Sequence, residues 1–345
     1  MTGTGQSTEP APRVHWDVSD RAAALHDDAL VWDNHGCLPY EHTERWCAEL
    51  ERYRSSGVDV AVINIGDAEA PLETLVRMAA TIRHYVARHA DRFLMVRDAA
   101  SIREAKAQGR TAVALDVEGA FAIGEQLSLI PLLYDIGVRW MLMVYNRANL
   151  AGSGCHDERD GGLTPLGRSI VQEMDRVGLV KCCSHTGYRT AMDIFEMSTR
   201  PTIFSHSNPR ALRDHPRNVP DDLIDACARS GGVVCINGVG IFLGDNDISV
   251  TTFVDHVDYV AQRIGPAHVG LGLDYVFDQA GMDATLADSA HLWPEGWGYR
   301  AGIRFMPPED LPRVTEELLR RGYDEQAIRG ILGANLLRVA DAVWK

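Results

Sequence analysis

The sequence predicts an α/β protein folded as a single (β/α)8 TIM barrel with extra loops and C-terminal helices. Eight short apolar runs rich in β-branched residues alternate with longer segments in which apolar residues recur every three or four positions. Strands separated by helices pair in parallel, and most of these runs are apolar throughout, as strands buried on both faces are. The first run lacks a G-x-G-x-x-G turn, which disfavours the competing doubly wound dinucleotide-binding sheet.

The predicted elements follow the chain in order. The eight predicted strands cover residues 30–35, 58–66, 111–119, 138–146, 179–185, 202–206, 232–240 and 269–277. Helical periodicity lies between them at 71–89, 166–177 and 253–264. Because no Pro/Ser-rich linker divides the chain, we predict a flexible N-terminal tail over residues 1–20 and one barrel domain over residues 21–345.

The composition is that of a globular protein: 345 residues, 46% hydrophobic and 24% charged, with a formal net charge of −14. An acidic surface disfavours nucleic-acid binding, because phosphate contacts require Lys and Arg. No apolar run approaches the ~20 residues that span a bilayer, and no signal-peptide pattern is present. The seven cysteines include no C-x-x-C pair. They fit reduced thiols, so we expect a cytoplasmic protein with neither nucleic-acid nor membrane partners.

Potential metal ligands and catalytic groups stand at the carboxyl ends of five predicted strands. They are His35 with Cys37, Glu118, His185, His206 and Asp274. The carboxyl ends of barrel strands converge on one face, where active sites of this fold are built. Each residue alone also fits a structural role, as a strand-end hydrogen-bonding group or a small buried side chain. Their coincidence predicts a divalent metal site, and the nitrogen and sulfur donors favour zinc.

Three residues of this set have more specific properties. His35 and Cys37 are two positions apart and face the same side of an extended strand. Glu118 has two oxygens with which to bridge two cations, and such pairs of metals serve hydrolysis by activating a shared water. Asp274 is the candidate for carrying a proton.

Seven sequence blocks resemble the membrane (renal) dipeptidase family, the zinc dipeptidases of the amidohydrolase-like barrels, over about residues 30–339. The blocks are Val117-Glu118-Gly119 and residues 162–167, 184–185, 204–207, 217–222, 270–274 and 333–339. The resemblance implies zinc-dependent hydrolysis of a dipeptide or similar small substrate with a free carboxylate, by a metal-activated hydroxide. It also implies two zinc ions per chain, with one ion as the alternative, and is compatible with a homodimer.

The resemblance assigns a role to each site residue. His35 would hold the first metal, Glu118 would bridge, and the two later histidines, His185 and His206, would hold the second. Asp274 would be the catalytic acid and base. Arg217 would bind the substrate carboxylate, for which the guanidinium fork is better suited than a lysine.

Three positions depart from the family pattern. The family has His-x-Asp where this chain has His35-Gly36-Cys37, so either the Cys37 thiolate ligates metal or the enzyme works with one metal. Tyr145 replaces a histidine and either donates a hydrogen bond to the oxyanion or forms an aromatic wall of the substrate pocket. Cys182 stands where the family usually has an Asp that supports the strand-5 histidine, so a change in the orientation of His185 is expected.

Two alternative functions stay open. One is an amidase or deacylase acting on a non-standard amide in a specialised pathway, and the other is a non-catalytic ligand-binding homologue. Retention of five aligned polar groups argues against the second. The long segment 281–308 contains Trp293, Trp297 and Tyr299. It is expected either to pack on a neighbouring helix or subunit, or to form a lid or wall of the pocket.

Overall fold

The computed structural model describes residues 16–345, so residues 1–15 of the predicted tail lie outside it. The strands are β1 Trp32–Cys37, β2 Val60–Asp67, β3 Phe93–Met95, β4 Thr111–Glu118, β5 Val138–Leu142, β6 Val180–Cys182, β7 Thr202–Ile203, β8 Val234–Ile236, β9 Val269–Leu271 and β10 Tyr275–Val276. The α-helices are α1 Asp20–Asp28, α2 Leu50–Ser55, α3 Leu72–Arg88, α4 Ala99–Ala107, α5 Leu129–Ile136, α6 Pro165–Val177, α7 Tyr188–Met197, α8 Asp221–Arg229, α9 Gly240–Leu243, α10 Val250–Ile264, α11 Gln279–Asp288, α12 Leu311–Arg320, α13 Glu325–Arg329 and α14 Asn335–Val343. Short 3-10 turns lie at Trp46–Glu49, Phe121–Ile123, Pro266–His268, Glu295–Trp297 and Pro308–Asp310, and a π turn at Gly330–Ala334.

The strands form a closed parallel barrel. β10, β1, β2, β4, β5, β6 and β7 pair in that order, and β8 pairs with β9. A bridge between Phe204 and Val234 joins β7 to β8. The eighth position of the barrel is shared by β9 and β10, where Asp274 N donates to His35 O and closes the circle onto β1. The predicted fold class is confirmed.

Each predicted strand overlaps an observed one, and the differences lie at the ends. The run 269–277 is divided into β9 and β10, and the short β3, which pairs with the beginning of β4, was not predicted. β6 ends at Cys182, before His185, which adopts a left-handed conformation with a φ of 62°. The chain therefore leaves the hydrogen-bonded ladder where it positions its polar residues.

The alternation of side chains along the strands carries polar groups into the barrel. In β4, Val117 packs with the residues that contact the helices, whereas Ala114 belongs to the cluster inside the barrel. Two and four positions after Ala114, the same alternation turns Asp116 and Glu118 inward, and both are buried. The interior of the barrel is therefore apolar along most of the strands and polar at their carboxyl ends.

Irregular pairing adjusts the direction of the side chains at that end. The register shifts between Asp33 and Gly36 in β1, and between Asn64 and Asp67 in β2. Such bulges redirect side chains beside active sites. A Cβ atom at Gly36 would lie 2.0 Å from the hydroxyl oxygen of Tyr53, so only glycine fits next to His35 there.

Two further observations concern the helices and the beginning of the described chain. No helix within residues 16–345 is long and apolar enough to cross a membrane. Trp16 Nε1 donates to Ser55 O at 3.1 Å, and its ring packs edge-on against His26. The boundary between tail and barrel at residue 20 stays a prediction.

Candidate metal centre

The predicted ligands meet at the carboxyl end of the barrel. In one half of the centre, His35 Nε2 lies 3.5 Å from Glu118 Oε2, 3.5 Å from Asp274 Oδ1 and 3.5 Å from Cys37 Sγ. Cys37 Sγ lies 3.7 Å from Asp274 Oδ1. The ligand atoms of His35, Cys37 and Asp274 are close enough to share one cation, and so are those of His35, Glu118 and His206.

The other half is formed by two histidines and the second oxygen of the same carboxylate. Glu118 Oε1 lies 3.1 Å from His206 Nε2 and 3.3 Å from His185 Nε2. The two Nε2 atoms are 2.9 Å apart. Glu118 therefore contributes one oxygen to each half, as a bridging ligand would.

Hydrogen bonds at the far side of two rings fix their protonation. His35 Nδ1 lies 3.1 Å from Asp116 Oδ2, and His185 Nδ1 lies 2.7 Å from Asn146 Oδ1. Both partners are acceptors, so each Nδ1 carries a hydrogen. Each Nε2 faces the centre and offers it a lone pair when the ring is neutral. Burial lowers the pKa of His185 to about 3 and that of His206 well below its ordinary value, which keeps both rings neutral.

This arrangement fits a bound cation. Lone pairs from three rings, two carboxylates and a sulfur point at one another, and Glu118 Oε1 has no hydrogen-bonded donor within the described part of the chain. Burial alone would lower the pKa of His35, yet the carboxylates of Asp116 and Glu118 outweigh it and raise that pKa, so without metal His35 carries the positive charge that a bound cation would replace. The centre therefore attracts positive charge, and its donors are those that zinc prefers.

The backbone is strained at the centre. His185 and Asp274 have φ values of 62° and 57°, and Asn146, the partner of His185, has a φ of 50°. Non-glycine residues rarely adopt positive φ, and such conformations cluster at functional sites.

The Cys37 side chain lies within the first half of the centre, as its position in the sequence predicted. Burial raises the pKa of its thiol far above the ordinary value, although His35 opposes this. A thiol in this position would ionise at neutral pH only beside a strong cation. Its role as a ligand therefore depends on metal.

Tyr145 lines a cleft of about 530 Å³ above the centre. Its ring stacks on His185 with centroids 4.1 Å apart, and its hydroxyl accepts a hydrogen bond from Trp293 Nε1 at 3.2 Å. Within residues 16–345 its own proton has no hydrogen-bonded acceptor, so it is free to donate. Both predicted roles, donor and aromatic wall, are compatible with this geometry.

Arg217 lies on the other side of His185, in a smaller cavity of about 200 Å³ that also contacts that histidine. The guanidinium is 2% exposed and donates to His206 O at 2.9 Å and to Ser207 Oγ at 3.1 Å. No carboxylate of the described residues forms an ion pair with it, and its Nε has no partner. A buried, unneutralised cation next to the centre is suited to an anionic group of a substrate.

The segment 281–308 forms a wall of the cleft. This was one of its two predicted roles, the other being packing on a neighbouring helix or subunit. Trp293, Tyr299 and Phe305 line the cleft, whereas Trp297 packs behind it on His156. Hydrogen bonds from the loop after β5 hold the segment in place. The acceptors are carbonyl oxygens of the segment, and the donors include Asn146 Nδ2 to Leu292 O at 3.1 Å and Arg147 Nε to His291 O at 3.0 Å.

Two supporting residues escaped the sequence analysis. Asn146 orients His185, and Asn64 Nδ2 donates to Asp116 Oδ1 at 2.7 Å, which in turn fixes His35. Cys182 does not touch His185: its sulfur accepts the backbone N–H groups of Ser184 and Ser205. Asn146 therefore fills the supporting role expected at position 182. Its only sequence signal was that it is a polar residue at the carboxyl end of the fourth predicted strand.

Replacing Asn146 by alanine is expected to weaken metal binding by about 10- to 100-fold, the usual effect of losing a partner that orients a ligand. The loss removes the acceptor for His185 Nδ1 and the anchor for Leu292. Metal competition with a chelator of known affinity measures it. Asn149→Ala, in the same loop, is the control; equal weakening in both variants would contradict a specific role for Asn146.

Comparison with known proteins places this geometry in context. The sequence profile of the membrane dipeptidase family (peptidase family M19) matches residues 20–292 and 298–345. The chain is 32% identical over 264 residues to the dipeptidase verJ of Clonostachys rogersoniana, and this region covers 76% of the chain. The same region covers 63% of that relative's own length.

Solved structures share the fold. An amidohydrolase from Pseudomonas aeruginosa superposes with a TM-score of 0.83 and 28% identity, covering 94% of this chain and 99% of that one. The probable dipeptidase PvdM from the same organism superposes with a TM-score of 0.78 and 19% identity, covering 94% and 97% of the two chains.

Proposed function

The chain belongs to the membrane dipeptidase family, and from this premise we propose that it is a zinc-dependent hydrolase of dipeptides or similar small amides with a free carboxylate. One observation carries the proposal. Three imidazole lone pairs, two carboxylates and a sulfur converge beneath a cleft at the carboxyl end of the barrel. Within residues 16–345 the protein supplies no other partner for these lone pairs. This favours a metal enzyme over a ligand-binding homologue.

In this proposal two zinc ions are held by the two halves of the centre. His35, Cys37 and Glu118 would hold the first, and His185, His206 and Glu118 the second. When bound, such metals activate a water molecule and polarise the substrate carbonyl. Asp116 and Asn146 would keep the rings turned to the centre.

Three side chains would carry out proton transfer, carboxylate binding and oxyanion stabilisation. Asp274 Oδ2 is held by Asn237 Nδ2 at 2.8 Å, while Oδ1 faces the centre and the side chain is 17% exposed. It would take a proton from the attacking water and pass it to the leaving amine. Arg217 would bind the substrate carboxylate, and Tyr145 would donate a hydrogen bond to the developing oxyanion.

The amidase alternative is favoured by one observation, the apolar wall of the cleft around Tyr145 and Trp293. Metal analysis of the reconstituted protein, combined with assays on a dipeptide library, separates the candidates. We expect two zinc ions per chain and hydrolysis of dipeptides. Bound zinc without dipeptide cleavage would favour an amidase or deacylase, and failure to bind zinc would overturn the metal proposal.

Replacement of Cys37 by serine is expected to abolish the thiolate-to-metal charge-transfer absorption of the cobalt-substituted enzyme. The reason is that Cys37 Sγ lies with His35 and Asp274 in one potential ligand group. Cys37→Asp, which restores the family residue, should keep the cobalt content without the band. Cys47→Ser, a buried cysteine in the 3-10 turn before α2, is the control. A band that persists in Cys37→Ser would exclude this thiol as a ligand.

A further inference from the structure

Acidic residues supply the charged groups of the cleft. Its lining contains five acidic residues and neither Lys nor Arg. The five are Asp67, Glu69, Glu118, Asp274 and Asp278. Two of them belong to the centre, Asp278 accepts the Gly281 N–H that begins α11, and Glu69 is exposed at the rim. Asp67 is the acidic residue left without one of these roles.

Asp67 lies directly beside the centre. It is the last residue of β2, follows the bulge that begins at Asn64, and is paired in register with Glu118 of β4. The side chain is half-buried, and within residues 16–345 no Lys, Arg or His lies within ion-pair distance of it, although the Tyr40 hydroxyl hydrogen-bonds to it and His35 is near enough to act on it electrostatically. A half-buried carboxyl group that lines the cleft without an ion-pair partner favours an incoming positive charge.

The opposite charge lies across the barrel. Counted around the circle from β1, β2 is the second position and β7 the sixth of eight, so the two strands are on opposite sides. Arg217 follows β7 and is held against His206 O, again without an ionic partner. The centre is therefore flanked by a carboxyl group on one side and a guanidinium on the other, neither of which has an ion-pair partner within residues 16–345.

We propose that Asp67 binds a protonated amine in the acyl half of the substrate, so that the substrate is a zwitterion lying across the centre. This inference rests on the proposed function and extends it to the end of the substrate opposite the carboxylate. The charged ends of an extended dipeptide are about 7 Å apart, so both reach beyond a central scissile bond. An α-amine and a side-chain amine offer the same chemistry, and the experiment distinguishes them.

The test compares wild-type enzyme with Asp67→Asn, which keeps the shape and removes the charge. The substrates are L-leucyl-glycine, N-acetyl-L-leucyl-glycine and N-acetyl-L-lysyl-glycine. In the variant, KM for the substrate with the recognised amine should rise about 10- to 100-fold, as for loss of a charge-assisted hydrogen bond, with little change in kcat. A rise for leucyl-glycine identifies the α-amine, and a rise for the acetyl-lysyl peptide identifies the side chain. Glu73→Gln, at an exposed position in the first turn of α3, is the control.

Equal changes for all three peptides would overturn the inference, because a merely structural defect does not depend on the substrate amine. Hydrolysis of none of them by wild-type enzyme would count against the proposed function instead. In that case, calorimetric titration with the same peptides still tests Asp67. A wild-type preference for an amine that is lost in Asp67→Asn supports the inference, and no preference in wild type overturns it.

Discussion

Replacement of Glu118 by glutamine is expected to remove metal from both halves of the centre and to lower kcat/KM at least about 1,000-fold, since bound metal supplies several kcal/mol of transition-state stabilisation. Glu118 is the residue with one oxygen in each half, Oε2 toward His35 and Oε1 toward His206. A glutamine of the same shape has one oxygen, and its NH2 group turns hydrogens toward the other half. Zinc per chain and kcat/KM, measured on the same reconstituted protein, test this.

The variant is expected to fold. Glutamine keeps the shape of the side chain but removes a carboxylate whose pKa, which burial alone would raise, is held well below its ordinary value by His35 and His206. Metal-free Glu118→Gln should therefore keep the far-UV circular dichroism of metal-free wild type and unfold at a lower temperature. Glu125→Gln, an exposed residue in the loop after β4, should keep both metal and activity. Two tightly bound zinc ions in Glu118→Gln would contradict the bridging role.

The barrel could be predicted from sequence because the periodicity of buried strands is a local signal. The run at 111–119 is apolar because both of its faces are covered, and it becomes β4 with almost the same bounds. β3 has three residues, too few to show any period, and depends on the neighbouring β4 for its pairing. The division of 269–277 around Asp274 depends on the left-handed backbone there, which no apolar pattern records.

The candidate site was predictable where a residue type itself indicates chemistry. His35 and Glu118 stand at strand ends, and the barrel geometry brings strand ends together. Asn146 and Asp67 are ordinary loop or strand-end residues in the sequence. Asn146 acts through a ring 39 positions later in the chain, and Asp67 is notable only because it lines the cleft without an ion-pair partner within residues 16–345. Such properties are long-range, and a single sequence does not contain them.

The position of Asp274 suits the proton transfer proposed for it, although the side chain also falls in a potential ligand group with His35 and Cys37. Its Oδ1 lies 3.5 Å from His35 Nε2, near the first half of the centre, whereas Oδ2 is fixed by Asn237 and accepts its amide hydrogen. Burial raises the pKa of this carboxyl, although His35 opposes the shift. A group that holds a proton more readily than an ordinary Asp, and is reached from the cleft, is suited to pass one to a leaving amine.

Asp274→Asn is therefore expected to lower kcat by about 100- to 10,000-fold, the usual contribution of a positioned acid and base, with KM nearly unchanged. The asparagine can still accept the hydrogen bond from Asn237, so its orientation is kept while its capacity to carry a proton is lost. Zinc content must be measured in parallel, since an equal loss of metal would make Asp274 chiefly a ligand. Asp278→Asn, two residues after β10, removes the charge of the residue that caps α11 and should leave kcat within about threefold of wild type. Unchanged turnover in a fully metallated Asp274→Asn enzyme would assign the proton transfer to another group, for which the Tyr145 hydroxyl, bonded only as an acceptor to Trp293 within residues 16–345, is a candidate in the cleft.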